Sequence, residues 1–441
     1  MGYEGYLTVG GNEVVNTSRA HAAAAALGIG LGCDRCPDFS RELGQRYRAP
    51  DDPDYPAPWY DPAYPESAGF GGIIGLETEG LSGSPMSNVP TPLLRGGSLP
   101  SPPRMEQREI AWTVQLVAVD ECSLSYGMSW LAAALRGSPC NSGCEGQTAC
   151  VLACCPTSLD PRWVPRQIRY LYSVEQLEGP TETERMFLPA RGSAACRGRA
   201  GLFGGGGRPV TAEVEFTLVA GRPWYYREPV TVASQVTPRQ VVNTSWTWNL
   251  PADCPEPADC ATDPNCDRPP MPPIPPAPPD PCVPGGGYVA DLAMVRIPPG
   301  LVGSWDEFVP LIYVDTGYRE IRRLQVRFFA NPGGGSCEYE DLDQCTACYG
   351  FGIGYVPANA SLTIDGRTEQ AYVDCGTGAT AGRQQTEPLI YGPGGSALDW
   401  PVFRCGSGLC VWVAAEVDET PGCLGPGWSV TIQLVPRNEA I

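Results

Sequence analysis

The chain has 441 residues, 42% of them hydrophobic, with 53 Gly, 48 Pro and 20 Cys, and a formal net charge of −19. That length allows two or three domains with a sizeable core, and the Gly and Pro load favours short strands and irregular loops over long helices. All 30 basic residues are arginine and none forms a basic run, which argues against a phosphate-gripping surface, and no stretch of 18 apolar residues is present to span a membrane as a helix.

In chain order, the first element is a hairpin. Apolar flanks surround the two-residue turn Gly10-Gly11, and Asn16 or Thr17 is placed to cap a helix through Ala20–Leu27. Residues 33–68 are rich in Pro, Asp and Tyr and read as an ordered loop, and GGIIGLETEGL comes next as a short strand. The following strand places Ile110, Trp112, Val114, Leu116 and Ala118 on one face at period two. From Ser123 the period changes. Leu124, Met128, Leu131 and Leu135 form one helical stripe, with Ser123 as the cap, Gly137 as the stop and Gly127 as an unfavourable interior residue. A cysteine-rich loop, 138–166, succeeds the helix. Two more alternating strands complete the region, one with Ile168, Tyr170, Tyr172 and Val174, the other with Val210, Ala212, Val214, Phe216, Leu218 and Ala220. This region, 1–250, predicts an antiparallel sheet with a helix on one face.

Residues 251–281 are dominated by proline. The stretch from Asp267 to Pro281 predicts polyproline II, a semi-rigid spacer of roughly 45 Å at about 3.1 Å per residue. It is expected to divide two domains. A proline-rich ligand for a recognition domain is the sharper alternative. Residues 282–441 predict an all-β sandwich. Leu324, Val326 and Phe328 alternate, Asp365-Gly366 marks a hairpin turn, and Trp428, Val430, Ile432 and Leu434 share a face. The fold class expected is therefore mainly β with minor α.

Chemistry is hard to find. The single histidine, His21, lies on an alanine-rich helix, so a Ser-His-Asp or Cys-His site has no other base to use. The 49 acidic residues offer no pair that spacing singles out for glycoside hydrolysis. The run 201–209 lacks the Lys-Ser/Thr of a phosphate loop. No catalytic residue, cofactor or cofactor-binding residue is expected.

The cysteines are the strongest chemical signal. Cys33, Cys36, Cys140, Cys144, Cys150, Cys154, Cys155, Cys254, Cys260, Cys266, Cys282, Cys337, Cys345, Cys348, Cys405 and Cys410 lie mostly in loops, where disulfides fasten irregular backbone. The competing readings are an all-cysteine zinc site at Cys140, Cys144, Cys150 and Cys154, although its C-x3-C gaps depart from the x2 knuckles of zinc ribbons, and free thiols. The first residues lack the pattern of a secretory signal, so synthesis in a cytoplasm is expected. So many cysteines then fit a protein that works outside the cell that made it.

Four stretches, PWYDPAYPESAGFGGIIGLETEGLSGS (58–84), REIAWTVQLVAVDECSLSYGMSWLAAALRG (108–137), VEFTLVAGRPWYYREPV (214–230) and SLTIDGRTEQAYV (361–373), resemble minor tail proteins of long-tailed bacteriophages that infect actinobacteria. In layout the chain resembles a distal tail protein. The resemblance implies a ring-forming N-terminal domain, a C-terminal galectin-like domain, and a homo-oligomeric ring, commonly a hexamer, that joins the tail tube protein to the tail tip and baseplate hub. It implies a virion location after assembly in the host cytoplasm, and a structural role without an active site. Trp224, Tyr225 and Tyr226 are candidates for the subunit interface, with local core as the competing reading. The negative charge suits a duct through which DNA slides without sticking. Two alternatives stand beside this one: a glycan-binding receptor protein using the C-terminal sandwich, and a tail-tip cell-wall hydrolase.

Overall fold

The computed structural model describes residues 2–441 except 32–35, 37–38, 40–42, 44, 88–90, 93–97, 100–103, 138–145, 156–166, 189–207, 245–287, 302–305, 318–319, 332–333, 339–346, 376–382, 386–389, 393–397, 405–407 and 417–426. The chain is mainly β, with two α-helices among the described residues, and every strand pairing described is antiparallel. It divides into two compact units: Met1–Glu228 with Arg437–Ile441, and Pro229–Pro436.

Unit 1 opens with β1 (Tyr3–Val9) and β2 (Asn12–Asn16), joined at Gly10 and Gly11, whose φ values of 57° and 84° are the left-handed conformation that a two-residue turn needs. The Asn16 side chain accepts a hydrogen bond from the Arg19 amide at 2.9 Å and starts α1 (Thr17–Ala26). Then come β3 (Phe70–Glu79), β4 (Arg108–Ala118), α2 (Glu121–Arg136), β5 (Gln147–Leu152), β6 (Ile168–Phe187) and β7 (Val210–Tyr226). The sheet runs β2-β1-β5-β6-β7, with β4 on the other edge of β7 and β3 on β4.

The alternating residues of β4 and β7 face inward as expected, from Ile110 to Ala118 and from Val210 to Ala220, and Leu124, Leu131 and Leu135 of α2 join the same core. Each Val, Leu, Ile or Phe among them contributes about 1.5–3 kcal/mol by leaving water. Trp112 and Phe216 are opposite one another in the ladder and stack at 6.4 Å. The cap of α2 is Asp120, not Ser123; its carboxylate accepts from the Ser123 amide at 2.8 Å, so the helix begins earlier than its apolar stripe suggests. Gly127 has a packing reason. A Cβ there would collide with the Phe70 ring.

In β6 the expected face is corrected. Leu171 and Val174 are buried, while Tyr170 and Tyr172 are half-buried. Ser173 takes a φ of 54° and the register with β5 shifts between Leu171 and Val174, which moves the alternation to the other phase.

Unit 2 contains β8 (Val230–Val236), β9 (Arg239–Thr244), β10 (Tyr288–Ile297), β11 (Glu307–Asp315), β12 (Ile321–Ala330), β13 (Ala347–Val356), β14 (Ala360–Asp365), β15 (Gln370–Cys375), β16 (Leu409–Glu416) and most of β17 (Ser429–Asn438). One sheet runs β9-β10-β16-β12-β13, and β17-β11-β14-β15 run together in another, with β8 on β17. Both sheets feed one core. Val326 and Phe328 come from the first, and Ile432 and Leu434 from the second. The expected hairpin joins β14 to β15, but its loop is 366–369 and Asp365 pairs with Gln370, so the turn is longer than a two-residue Asp-Gly turn.

The position of the proline-rich segment is also corrected. The boundary between units falls at Glu228/Pro229, because β8 pairs with β17 and β9 with β10, all inside unit 2. Residues 251–281 lie outside the described residues. The nearest described residues on either side, Thr244 and Tyr288, are Cα partners in the β9/β10 ladder.

Candidate assembly surface

Strands β3, β4, β7 and β6 form a sheet with two unlike faces. The inner face is the core of unit 1. At one end of the outer face, α1 covers Ile74 and Val117 with Ala20 and Ala24. The remainder is acidic. Register places Glu77 and Glu79 of β3 beside Thr113 and Ala111 of β4, with Glu109 on the same face. Glu213 and Glu215 of β7 lie beside Gln115 and Thr113. Glu175, Glu178 and Glu184 of β6 lie beside Val219, Thr217 and Glu213.

Glu213 is half-buried and the other seven are exposed. Glu184 stands directly opposite Glu213, a like-charge pair that weakens an isolated sheet. Thr217 Oγ1 donates to Glu178 at 3.2 Å. The nearest cation of the strand, Arg185, points inward and is taken by Glu182 at 2.6 Å and Glu121 at 3.7 Å. The gathering of carboxylates on this face is therefore a built property of four strands, not a feature of one loop.

The second property is a free edge. β5 pairs with β6 only as far as Val174; from Glu175 to Phe187 the outer edge of β6 has no strand partner among the described residues. Along it Leu177, Met186 and Phe187 are 52%, 47% and 53% exposed. Long edges with exposed apolar side chains are templates for pairing. Sequence reasoning missed this edge, because it ended the strand near Val174 and took the residues beyond it for loop.

The aromatic candidates are placed differently from the interface reading. Tyr225 and Tyr226 are buried in unit 1. The Tyr225 hydroxyl donates to the Leu81 carbonyl at 2.6 Å, Tyr226 packs edge-on to Tyr172 at 5.1 Å, and Arg437 lies 4.0 Å over the half-buried Trp224 ring. Tyr225 and Tyr226 are thus local core, enclosed by their own unit, while Trp224 is only half-buried.

Of the candidate cysteines, Cys36 pairs with Cys155 and Cys337 with Cys410. Each pair pins a loop to a sheet strand or its end. Cys36 sits with Tyr3, Phe39 and Leu152, and Cys410 with Phe329 and Trp412. Cys150, Cys154 and Cys348 are free thiols, a correction to the disulfide expectation, and Cys122 and Cys375 are free as well. Burial pushes the Cys150 thiol up to about 12. Cys33, Cys140, Cys144, Cys254, Cys260, Cys266, Cys282, Cys345 and Cys405 lie outside the described residues, as does half of the Cys140, Cys144, Cys150, Cys154 zinc quartet. Among the described residues no group of three or more His, Cys, Asp or Glu is placed to hold a metal ion, and no helix is long and apolar enough to cross a membrane. His21 lies half-buried on α1.

No protein-family model matches the sequence, and no curated protein matches it. Among solved structures, the chain is similar to the Dit protein of phage SPP1, described as a paradigm of the hub adsorption apparatus in phages infecting Gram-positive bacteria, at 10% identity and a TM-score of 0.37, covering 85% of this chain and 95% of that one. It is also similar to a chain of the phage P2 baseplate in its activated conformation with calcium, at 9% identity and a TM-score of 0.29, and to one of the same baseplate with strontium, at 8% and 0.28; each match covers 78% of this chain and 91% of the other. At such identities and TM-scores the likeness assigns no function.

Proposed function

We propose that this chain is a structural component of a long-tailed phage virion, a distal or minor tail protein whose unit 1 builds a ring between tail tube and tail tip. The observation that carries the reading is the two-faced sheet of unit 1: one face core, the other a field of glutamates, ending at the edge of β6 that has no strand partner among the described residues. A free edge is what a subunit needs to continue its sheet into the next copy. The outer edge of β3 beyond Gly75 is the complementary candidate, since among the described residues β3 is hydrogen-bonded as a strand only to β4. Joined in that way, successive copies would turn their acidic faces to one side. Such a wall repels a polyanion and lets DNA pass without binding. The role assigns no reaction to the chain, and the sequence resemblance to distal tail proteins points the same way.

The test is the oligomeric state of the purified chain by native mass spectrometry and negative-stain imaging. A closed ring is expected, commonly of six copies by the resemblance. Placing proline at Thr183 in the free edge should leave a folded monomer. A chain that stays monomeric at high concentration, or a proline variant that still closes the ring, would refute the β6 assignment.

One observation favours a second reading, that unit 2 binds a glycan. Tyr355 and Tyr391 are exposed on it, and the Tyr355 hydroxyl donates to Glu320 at 3.1 Å, an aromatic ring beside a carboxylate. Binding of the full chain on a glycan array, abolished by Tyr355→Ala, would establish it; an empty array would dismiss it.

A further inference from the structure

We propose that Arg108 makes unit 1 dependent on the segment Arg437–Ile441, a strap that comes after all of unit 2 in sequence and completes the fold of unit 1. Arg108, at the start of β4, is 1% exposed, and among the described residues no carboxylate pairs with it. Its guanidinium instead gathers four backbone carbonyls. Nε donates to Pro223 at 2.9 Å, one terminal nitrogen to Gly80 at 3.0 Å and to Gly83, and the other to Glu439. Its plane lies 4.3 Å from the centre of the Tyr225 ring. Three of these acceptors belong to the first stretch of unit 1: Pro223 on β7, and Gly80 and Gly83 in the loop after β3. The fourth arrives from beyond residue 436.

The rest of the strap is held by weaker means. Tyr225 and Tyr226 pair in register with Asn438 and Arg437, Ser84 donates to the Glu439 carboxylate at 3.1 Å, and Ile441 packs against the core. These contacts add a few modest interactions. The Arg108 contact differs in kind. A buried cation held by neutral carbonyls and one aromatic ring has no paired carboxylate among the described residues, so removing one acceptor leaves a charged donor unmet inside the protein. Unit 1 therefore reaches its full stability only after unit 2 has been made and the strap has returned.

The experiment is a double-mutant cycle on the full chain: deletion of 437–441, Arg108→Met, and both together, read by amide hydrogen exchange in β4 and β7 of unit 1 and in β12 and β16 of unit 2. Deletion alone should speed exchange in β4 and β7 by about tenfold or more, the effect of one lost charge-assisted hydrogen bond, and leave β12 and β16 unchanged. In the Arg108→Met background the same deletion should cost severalfold less. Equal effects in the two backgrounds would overturn the proposal, as would acceleration spread equally over both units. If Arg108→Met does not fold, Arg108→Lys takes its place with the same expectation, because one ammonium cannot serve four separated carbonyls.

Discussion

Individual residues of unit 1 are tuned mainly by burial. Burial raises the phenols of Tyr225 and Tyr170 to about 12, against the opposing pull of Arg108 in the first case and with help from Cys150 and Glu228 in the second. Tyr6 and Tyr47 shift in the same direction, also chiefly through burial. A phenol whose folded pKa exceeds its unfolded value of about 10 holds its proton longer in the folded state. Stability from these residues is thus complete below pH ~10 and is lost as pH rises toward ~12. Tyrosinate absorbance and circular dichroism recorded together should show unit 1 unfolding in that window, with ionisation and unfolding coincident; smooth tyrosine titration in a folded protein would contradict it. Burial also protects Cys150. At pH 8 its thiol stays protonated, so iodoacetamide should label the exposed Cys122 and Cys154 well before it, and equal labelling rates would refute the assignment. Gly127→Ala should destabilise by about 1–3 kcal/mol in urea titration, because the clash with Phe70 exceeds the gain in helix propensity.

At the scale of elements, ends and staples decide more than interiors. The Asp120 carboxylate satisfies an amide that α2 would otherwise leave bare, so Asp120→Ala should cost about 1 kcal/mol in the same titration. The Cys337–Cys410 disulfide ties Asn331–Cys337, where the Asn331 amide donates to the Gly335 carbonyl at 3.0 Å, onto the middle of the sheet at Trp412. Its residues are 73 apart in sequence. Removing it by Cys337→Ala with Cys410→Ala should lower the stability of unit 2 by about 2–4 kcal/mol, seen as faster amide exchange in β12 and β16 of unit 2 that reductant does not speed further.

At the scale of the molecule, the charge of −19 is not spread evenly. Seven exposed glutamates and one half-buried one share a single sheet face, and copies joined edge to edge would concentrate that repulsion. Self-association should therefore tighten as salt rises from ~0.01 M to ~0.15 M, where the screening length falls from about 30 to about 8 Å. Sedimentation velocity reads this directly. Weaker association at higher salt would mean that the interface is held by opposite charges and that the edge-to-edge arrangement is wrong.

Much of the architecture was written in local periodicity. The alternation of Ile110–Ala118, Val210–Ala220 and Trp428–Leu434, the stripe of α2 and the Gly10-Gly11 turn depend on neighbours a few residues apart, and the folded chain honours them. The long-range features were not so written. That Tyr225 is enclosed by its own unit, that Cys36 finds Cys155 and not Cys33, that residues on either side of the proline-rich run share one ladder, and that Arg108 waits for Glu439 all depend on which segments meet. The acidic face lies between these cases. The glutamates are plain in the sequence, but only strand register brings four separate strands' worth of them to one side, because a one-residue slip would send each to the opposite face.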